Sequence, residues 1–377
     1  MQAPHPARAL HLCAGNLYGG VERIVFECAA SRALQPEMAA DFAVCFDGRL
    51  SREIDETGAE CRRLGAVRFS RPHTVWRARH RLAALLAATR PDVVLCHSSW
   101  ICALAAPAVR SSGSRLALWV HDRLTGRPWT ERWARRANPD VVISNSAFTD
   151  ASVAEVFPAV PRKMVYPPVR AGGALDPAAR AALRAELGAT GDTVVIVIAS
   201  RMDPMKGHRE LLAAATGVAG DWQIWIAGAA QRSAEEAYAH SLAASAESSG
   251  VGARVRFLGE RADVPMLLRA ADIHCQPNSA PDSFGIVFVE ALYASLPVVT
   301  TDLGGAREIV TEHCGVLTPV GDVRALQSAL DGLVRSGTER KRLGAAGPAR
   351  ATALCDPATQ LGRLADVLCG SAARVPA

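Results

Sequence analysis

Residues 193–199 read TVVIVIA, an unbroken apolar and largely β-branched run of strand length. A strand without polar alternation has both faces covered, as at the centre of a parallel sheet with helices packed above and below. Shorter runs of the same kind occur at 7–14, 39–46, 93–96, 116–120 and 140–146, and helically spaced apolar segments separate most of them. Six strands are expected before residue 169, with 46–65 as mixed helix and turn. A fresh series follows at 193–199, 222–228, 255–260, 271–277, 297–301 and 315–317. Alternation of this kind gives doubly wound α/β sheets. The Pro167-Pro168 and Gly172-Gly173 segment between the series marks a boundary. The chain of 377 residues is long enough for two domains, expected at 1–168 and 169–355.

Composition excludes several classes. With 49% hydrophobic and 21% charged residues the chain is of ordinary globular make-up. No apolar run reaches bilayer-spanning length, and the start, MQAPHPARAL, has no apolar leader core, so a cytoplasmic location is expected. Ten cysteines without a CxxC pair read as small buried hydrophobes of a reducing compartment. The formal charge of +5 is uneven: residues 1–168 carry 22 Lys and Arg against 15 Asp and Glu. Such a half can steer an acidic acceptor or rest peripherally on an anionic membrane face. Its plainer meaning is solvated arginine-bearing helices. Nucleic-acid binding is not expected, because the basic residues are dispersed and lack interleaved aromatics.

Chemistry concentrates in residues 277–310, PNSAPDSFGIVFVEALYASLPVVTTDLGGAREIV. A polar loop with Asp282 and Ser283 runs through Phe284, Gly285 and Ile286 into an apolar helix bearing Glu290. The start of a helix presents unpaired backbone N–H groups and a positive dipole end, a seat for phosphate. Gly285 lets the backbone approach a ligand. Acids flanking an anion site, here Asp282 and Glu290, suit hydroxyls rather than phosphates. Phosphates in the middle and polyols at both ends describe a nucleotide sugar. After residues 193–199, Arg201 and Lys206 fall at the strand's carboxyl edge, where two cations can neutralise a diphosphate whose charge grows as its bond to a sugar breaks. Gly19 and Gly20 make the turn after the first strand, either beside a ligand or simply as a tight strand–helix connection. His97 and His121 also end strands. His97 reads as structural, and His121, paired with Asp122, is the better candidate for substrate contact.

Taken in order, Gly19-Gly20-Val21-Glu22, the strand-end His121, Arg201-x4-Lys206-Gly207 and the Asp282-x7-Glu290 run resemble the retaining glycosyltransferases of family 4. The matches extend from residue 9 to about 320. The resemblance implies the GT-B fold, two Rossmann-like domains facing a central cleft, with an acceptor-binding first domain and a nucleotide-sugar-binding second one. It further implies that the helix in 356–377 returns to the first domain. It makes Glu290 the partner of the ribose hydroxyls and Arg201 with Lys206 the diphosphate clamp. The backbone of Phe284, Gly285 and Ile286 assists, Asp282 holds the transferred sugar, and Gly19 and Gly20 lie near the diphosphate and acceptor. His121 sits by the 6-hydroxyl of the sugar.

The implied activity is sugar transfer from a UDP- or GDP-linked donor to an acceptor hydroxyl in glycan, glycolipid or secondary-metabolite synthesis. It needs no cofactor and no metal. The family usually has Glu where this chain has Asp282, about 1.5 Å shorter in reach. That departure bears on which sugar is carried. Two other functions share these features: a GT-B sugar-nucleotide epimerase, against which the Arg-x4-Lys pattern speaks, and a non-catalytic sugar-nucleotide-binding or scaffold protein.

Overall fold

The computed structural model describes residues 6–370. Residues 1–5, within the start read for a leader, and 371–377, part of the 356–377 segment expected to return to the first domain, lie outside the described residues. The chain divides into two units: one holds the chain up to Val169 together with the segment from Cys355 onward, and the other is Arg170–Leu354.

The first unit is built on seven strands: β1 (Ala7–Cys13), β2 (Met38–Val44), β3 (Cys61–Arg63), β4 (Val93–Cys96), β5 (Arg115–Val120), β6 (Val141–Ser144) and β7 (Arg162–Met164). They lie in the order β3-β2-β1-β4-β5-β6-β7, and every pairing is parallel. The count is one more than the sequence pattern gives. The additional edge strand, β3, has only three residues and exposes Arg62 and Arg63, so it carries no apolar signature. The core lies around Leu10, Leu12, Val94, Leu116, Leu118 and Val142, with helix side chains such as Leu82, Leu104 and Val153 packed on them. Helix Pro357–Cys369 belongs to this unit, where the Arg115 guanidinium donates to its Leu368 carbonyl at 2.5 Å.

The second unit carries β8 (Val194–Ala199), β9 (Trp222–Ala227), β10 (Val255–Gly259), β11 (Ile273–Gln276), β12 (Val298–Thr301) and β13 (Gly315–Thr318). Their order is β10-β9-β8-β11-β12-β13, again all parallel. Residues Val195 to Ile198 of β8 are fully buried, as a strand covered on both faces must be.

In both sheets the order reverses beside the first strand of the series, between β1 and β4 and between β8 and β11. Ligands of open α/β sheets collect at such reversals, outside the carboxyl ends of the strands, because the two flanking loops turn away to opposite faces. The ten cysteines are thiols, nine of them buried. Among the described residues no helix is long and apolar enough to cross a membrane.

Candidate functional site

In the second unit, the loops following β8 and β11 flank the strand-order reversal, and they bring together residues far apart in the chain. The Lys206 ammonium donates to Asp282 Oδ2 at 2.6 Å across 76 positions, with side chains 16% and 19% exposed. Arg201 is anchored by Glu235, Nη1 to Oε1 at 2.9 Å, and reaches Asp203 at 3.4 Å. Glu235 is buried, and its other oxygen accepts from the Gln231 N–H at 2.7 Å. Two cation–carboxylate groups thus sit on the loops beside the reversal, Lys206 with Asp282 and Arg201 with Glu235 and Asp203. A diphosphate entering there has to take or share the Lys206 ammonium that Asp282 holds. The guanidinium has five N–H donors, more than its two carboxylates take, so Arg201 can be held and still bind.

Backbone packing fixes these loops. Gly207 has φ +79°, and a Cβ there would stand 1.9 Å from the Pro277 carbonyl oxygen. Ser279 N–H donates to Met205 O at 2.9 Å, tying the same two loops together. On the other side Gly304, at φ +60°, would place a Cβ 2.4 Å from the Asp282 oxygen, and the Gly305 N–H donates to that oxygen at 2.9 Å. The Gly304-Gly305 turn therefore cradles the Asp282 backbone. Helix Ile286–Tyr293 begins one residue beyond Gly285, which caps it at φ +101°. Phe284 is buried, so its ring belongs to the core and only its backbone can serve a ligand. Ser283 and Ile286 are half-buried, as is Glu290 a little over one turn into the helix. His208 follows Gly207 and approaches Ser200 Oγ at 3.3 Å; burial first, then the Lys206 charge, lowers its pKa to about 4.

The first unit presents a separate set. Gly19 caps helix Gly20–Ala30 in an extended conformation, and its N–H donates to Glu22 Oε2 at 3.1 Å. The glutamate of this motif thus closes the turn, as a capping carboxylate does. His121 follows β5 directly and is 5% exposed. Its Nε2 lies 3.1 Å from His97 Nδ1, and His97 Nε2 lies 3.0 Å from His11 Nδ1. His97, read from the sequence as a lone structural residue, is the middle member of a buried trio. Burial lowers the His121 pKa to about 3 and that of His11 to about 4, so both rings are neutral near pH 7.

Arg201, Lys206, Asp282, Ser283, Phe284, Gly285, Ile286 and Glu290 therefore belong to the second unit, and Gly19, Gly20 and His121 to the first. Sequence reasoning did not single out Glu235, Asp203 or His11. Glu235 looks like any acid in the first turn of an exposed helix, and only the fold reveals that it lies under Arg201.

Comparison with known proteins agrees with this architecture. The profile for glycosyltransferase family 4 matches residues 18–172, and that for glycosyl transferases group 1 matches residues 179–350. A phosphatidyl-myo-inositol mannosyltransferase of Mycobacterium leprae is 38% identical over 151 residues, covering 38% of this chain and 38% of its own length. A GDP-mannose-dependent monoacylated alpha-(1-6)-phosphatidylinositol monomannoside mannosyltransferase of Corynebacterium glutamicum is 34% identical over 188 residues, 47% of each chain. The match thus spans less than half the length of these curated relatives. Among solved structures, HepE of Anabaena in complex with UDP-glucose superposes with a TM-score of 0.85 at 22% identity, covering 96% of this chain and 99% of that one. That likeness is one of fold, GT-B. With consecutive family profiles accounting for both units, the chain belongs to glycosyltransferase family 4.

Proposed function

We propose that the protein is a retaining glycosyltransferase that moves a hexosyl group from a UDP- or GDP-linked donor to an acceptor hydroxyl. The observation that carries the reading is the Lys206–Asp282 pair at the strand-order reversal of the second sheet, with Arg201 held on the same loop by Glu235. A cation and an acid locked together suit a ligand that presents a phosphate and a hydroxyl side by side. In this reading the donor diphosphate takes Lys206 and Arg201, and its oxygens also meet backbone N–H groups at Gly285 and Ile286. Asp282, released from Lys206, accepts from hydroxyls of the transferred sugar, and Glu290 accepts from the ribose. Ser283 and the Phe284 backbone line the same loop. In the first unit, Gly19 and Gly20 leave room for substrate, and His121 meets a sugar hydroxyl.

The reaction then balances without a cofactor. The bond between the anomeric carbon and the β-phosphate oxygen breaks, and the cations stabilise the charge left on the diphosphate. The acceptor oxygen bonds to the anomeric carbon on the same face, and its proton passes to the departing phosphate oxygen, so configuration is retained. Two fixed cations perform the neutralisation that a metal ion would otherwise supply. The relatives named above support a GDP-linked mannosyl donor and an inositol-bearing lipid acceptor as the first substrates to try.

The test begins with thermal shifts against UDP, GDP, ADP, UDP-glucose and GDP-mannose without added metal. One nucleotide series should raise Tm, since a ligand stabilises the state it binds. Arg201→Ala and Lys206→Ala should each abolish that shift and lower transfer at least a hundredfold in a protein that still folds, with Arg201→Ala lowering the unliganded Tm because it leaves the buried Glu235 carboxylate without its cation. Near-normal transfer in both variants would sink the clamp. No shift with any nucleotide at millimolar concentration would return the protein to the scaffold reading.

A further inference from the structure

The three histidines of the first unit form a directed chain. In the register of β1, β4 and β5, Leu12 is level with Cys96 and Cys96 with Leu118. His11 therefore lies one residue below that level, His97 one above and His121 three above. Each step to the next strand rises two residues, which keeps all three side chains on one face of the sheet. The nitrogens meet at 3.0 and 3.1 Å. For His97 and His121 the ring planes differ by 2° and the centroids are 5.3 Å apart, so the rings lie end to end as an in-plane lone pair requires. Phe42 packs beside His11, and Trp119 beside His97 and His121.

A neutral imidazole has one N–H and one lone pair, so both nitrogens of His97 can be satisfied in only two ways. In one, His11 Nδ1–H donates to His97 Nε2 and His97 Nδ1–H donates to His121 Nε2. His121 then carries its proton on Nδ1. In the other, every bond reverses, His121 Nδ1 is bare, and the free proton sits on His11 Nε2. Both terminal atoms, His11 Nε2 and His121 Nδ1, are buried and have no partner among the described residues. The second arrangement strands an N–H beside Phe42 in the core, where orphan donors are rare and costly. The first leaves only a lone pair there and puts the unpaired N–H on His121 Nδ1, also buried but at the carboxyl edge of the sheet, where a bound ligand can supply the acceptor. Burial favours the uncharged form of all three rings, which is the state that this choice requires.

We propose that His11 and His97 are positioning residues that hold His121 as its Nδ1–H tautomer, making it a one-way hydrogen-bond donor to a substrate hydroxyl oxygen. This rests on the reading of His121 as a substrate contact. On it, a substrate that offers an oxygen acceptor at this point is favoured over its deoxy analogue.

The test uses the full chain labelled with nitrogen-15 in its histidines. Two-bond proton–nitrogen spectra at pH 7, without ligand, should show His11, His97 and His121 all protonated on Nδ1. His97→Leu removes the donor to His121 Nε2 and should move His121 wholly or partly to the Nε2–H form. It should also raise the sugar-donor KM about tenfold, the worth of one hydrogen bond, with a smaller effect on kcat. His97→Gln, which can accept from His11 and donate to His121, should restore most of both. It also serves as the informative variant where His97→Leu fails to fold.

An Nε2–H form of His121 in the parent protein, or an unchanged tautomer in folded His97→Leu, overturns the proposal. The functional reading is tested separately by His121→Ala. If transfer survives that change while the Nδ1–H chain is seen, His121 has no substrate to serve and the proposal falls with that reading. If transfer is lost but His121 is Nε2–H, the proposal alone falls.

Discussion

In the proposed cycle Lys206 serves two anions in turn. In the ligand-free molecule it holds Asp282 at 2.6 Å, and in the proposed cycle it must hold a diphosphate. This competition makes Asp282→Asn informative, because the amide keeps the shape of the side chain but gives up its claim on the ammonium. Nucleoside diphosphate should bind roughly fivefold tighter, the equivalent of about 1 kcal/mol for a partly exposed pair. Transfer should nevertheless fall, since the amide is a poorer acceptor for sugar hydroxyls. Isothermal titration alongside a steady-state rate measures both. Unchanged or weaker nucleotide binding would show that Lys206 does not exchange one partner for the other. The cations were legible in the sequence because Arg201 and Lys206 follow an unmistakable strand. Their pairings were not: Glu235 does not stand out and Asp282 reads only as a sugar contact, because these acids lie 34 and 76 positions from Arg201 and Lys206 and only the sheet order brings them close.

At the scale of elements, the loops around the site of the second unit are held by close backbone approach as well as by the Lys206–Asp282 pair. Gly207 and Gly250 share nearly the same φ, +79° and +78°, yet a Cβ at Gly207 would strike the Pro277 carbonyl while one at Gly250 meets nothing within 4 Å. Gly250→Ala should therefore cost only the left-handed penalty, about 1–2 kcal/mol. Gly207→Ala adds overpacking between two loops and should cost roughly 2–5 kcal/mol. Urea denaturation curves of the two variants should separate clearly; equal midpoints would mean that the loops after β8 and β11 are not packed as tightly as described. Sequence alone marks both glycines as punctuation and cannot say which backbone each must admit. The strand series was easier to see, since TVVIVIA declares its burial on both faces. The exception, β3, failed to register because Arg62 and Arg63 mask a three-residue edge strand.

For the molecule as a whole, charge and aromatic exposure point the same way. The first 168 residues carry the basic excess, 22 cations against 15 anions. On helix Trp129–Ala137 of the first unit, Trp129 and Trp133 are 40% and 51% exposed, and Trp133 lines a depression with Arg132, Arg135 and Arg136. Trp76, on helix Pro72–Thr89, is 69% exposed. Exposed tryptophan among arginines suits the boundary between lipid headgroups and acyl chains, where each cation near an anionic surface contributes about 1 kcal/mol. An acceptor carried by an anionic lipid would place the first unit on such a surface. The protein should then sediment with vesicles containing phosphatidylserine or phosphatidylinositol, and much less with phosphatidylcholine alone. The combined Trp133→Ala and Arg135→Ala variant should lose a large part of that binding, since it removes one aromatic anchor and one charge. Raising salt to 0.5 M should weaken binding for the parent more than for the variant, because the charge contribution is screened while the aromatic one is not. Equal binding to charged and neutral vesicles would assign the basic excess to ordinary solvated helices and leave a water-soluble acceptor as the better substrate to pursue.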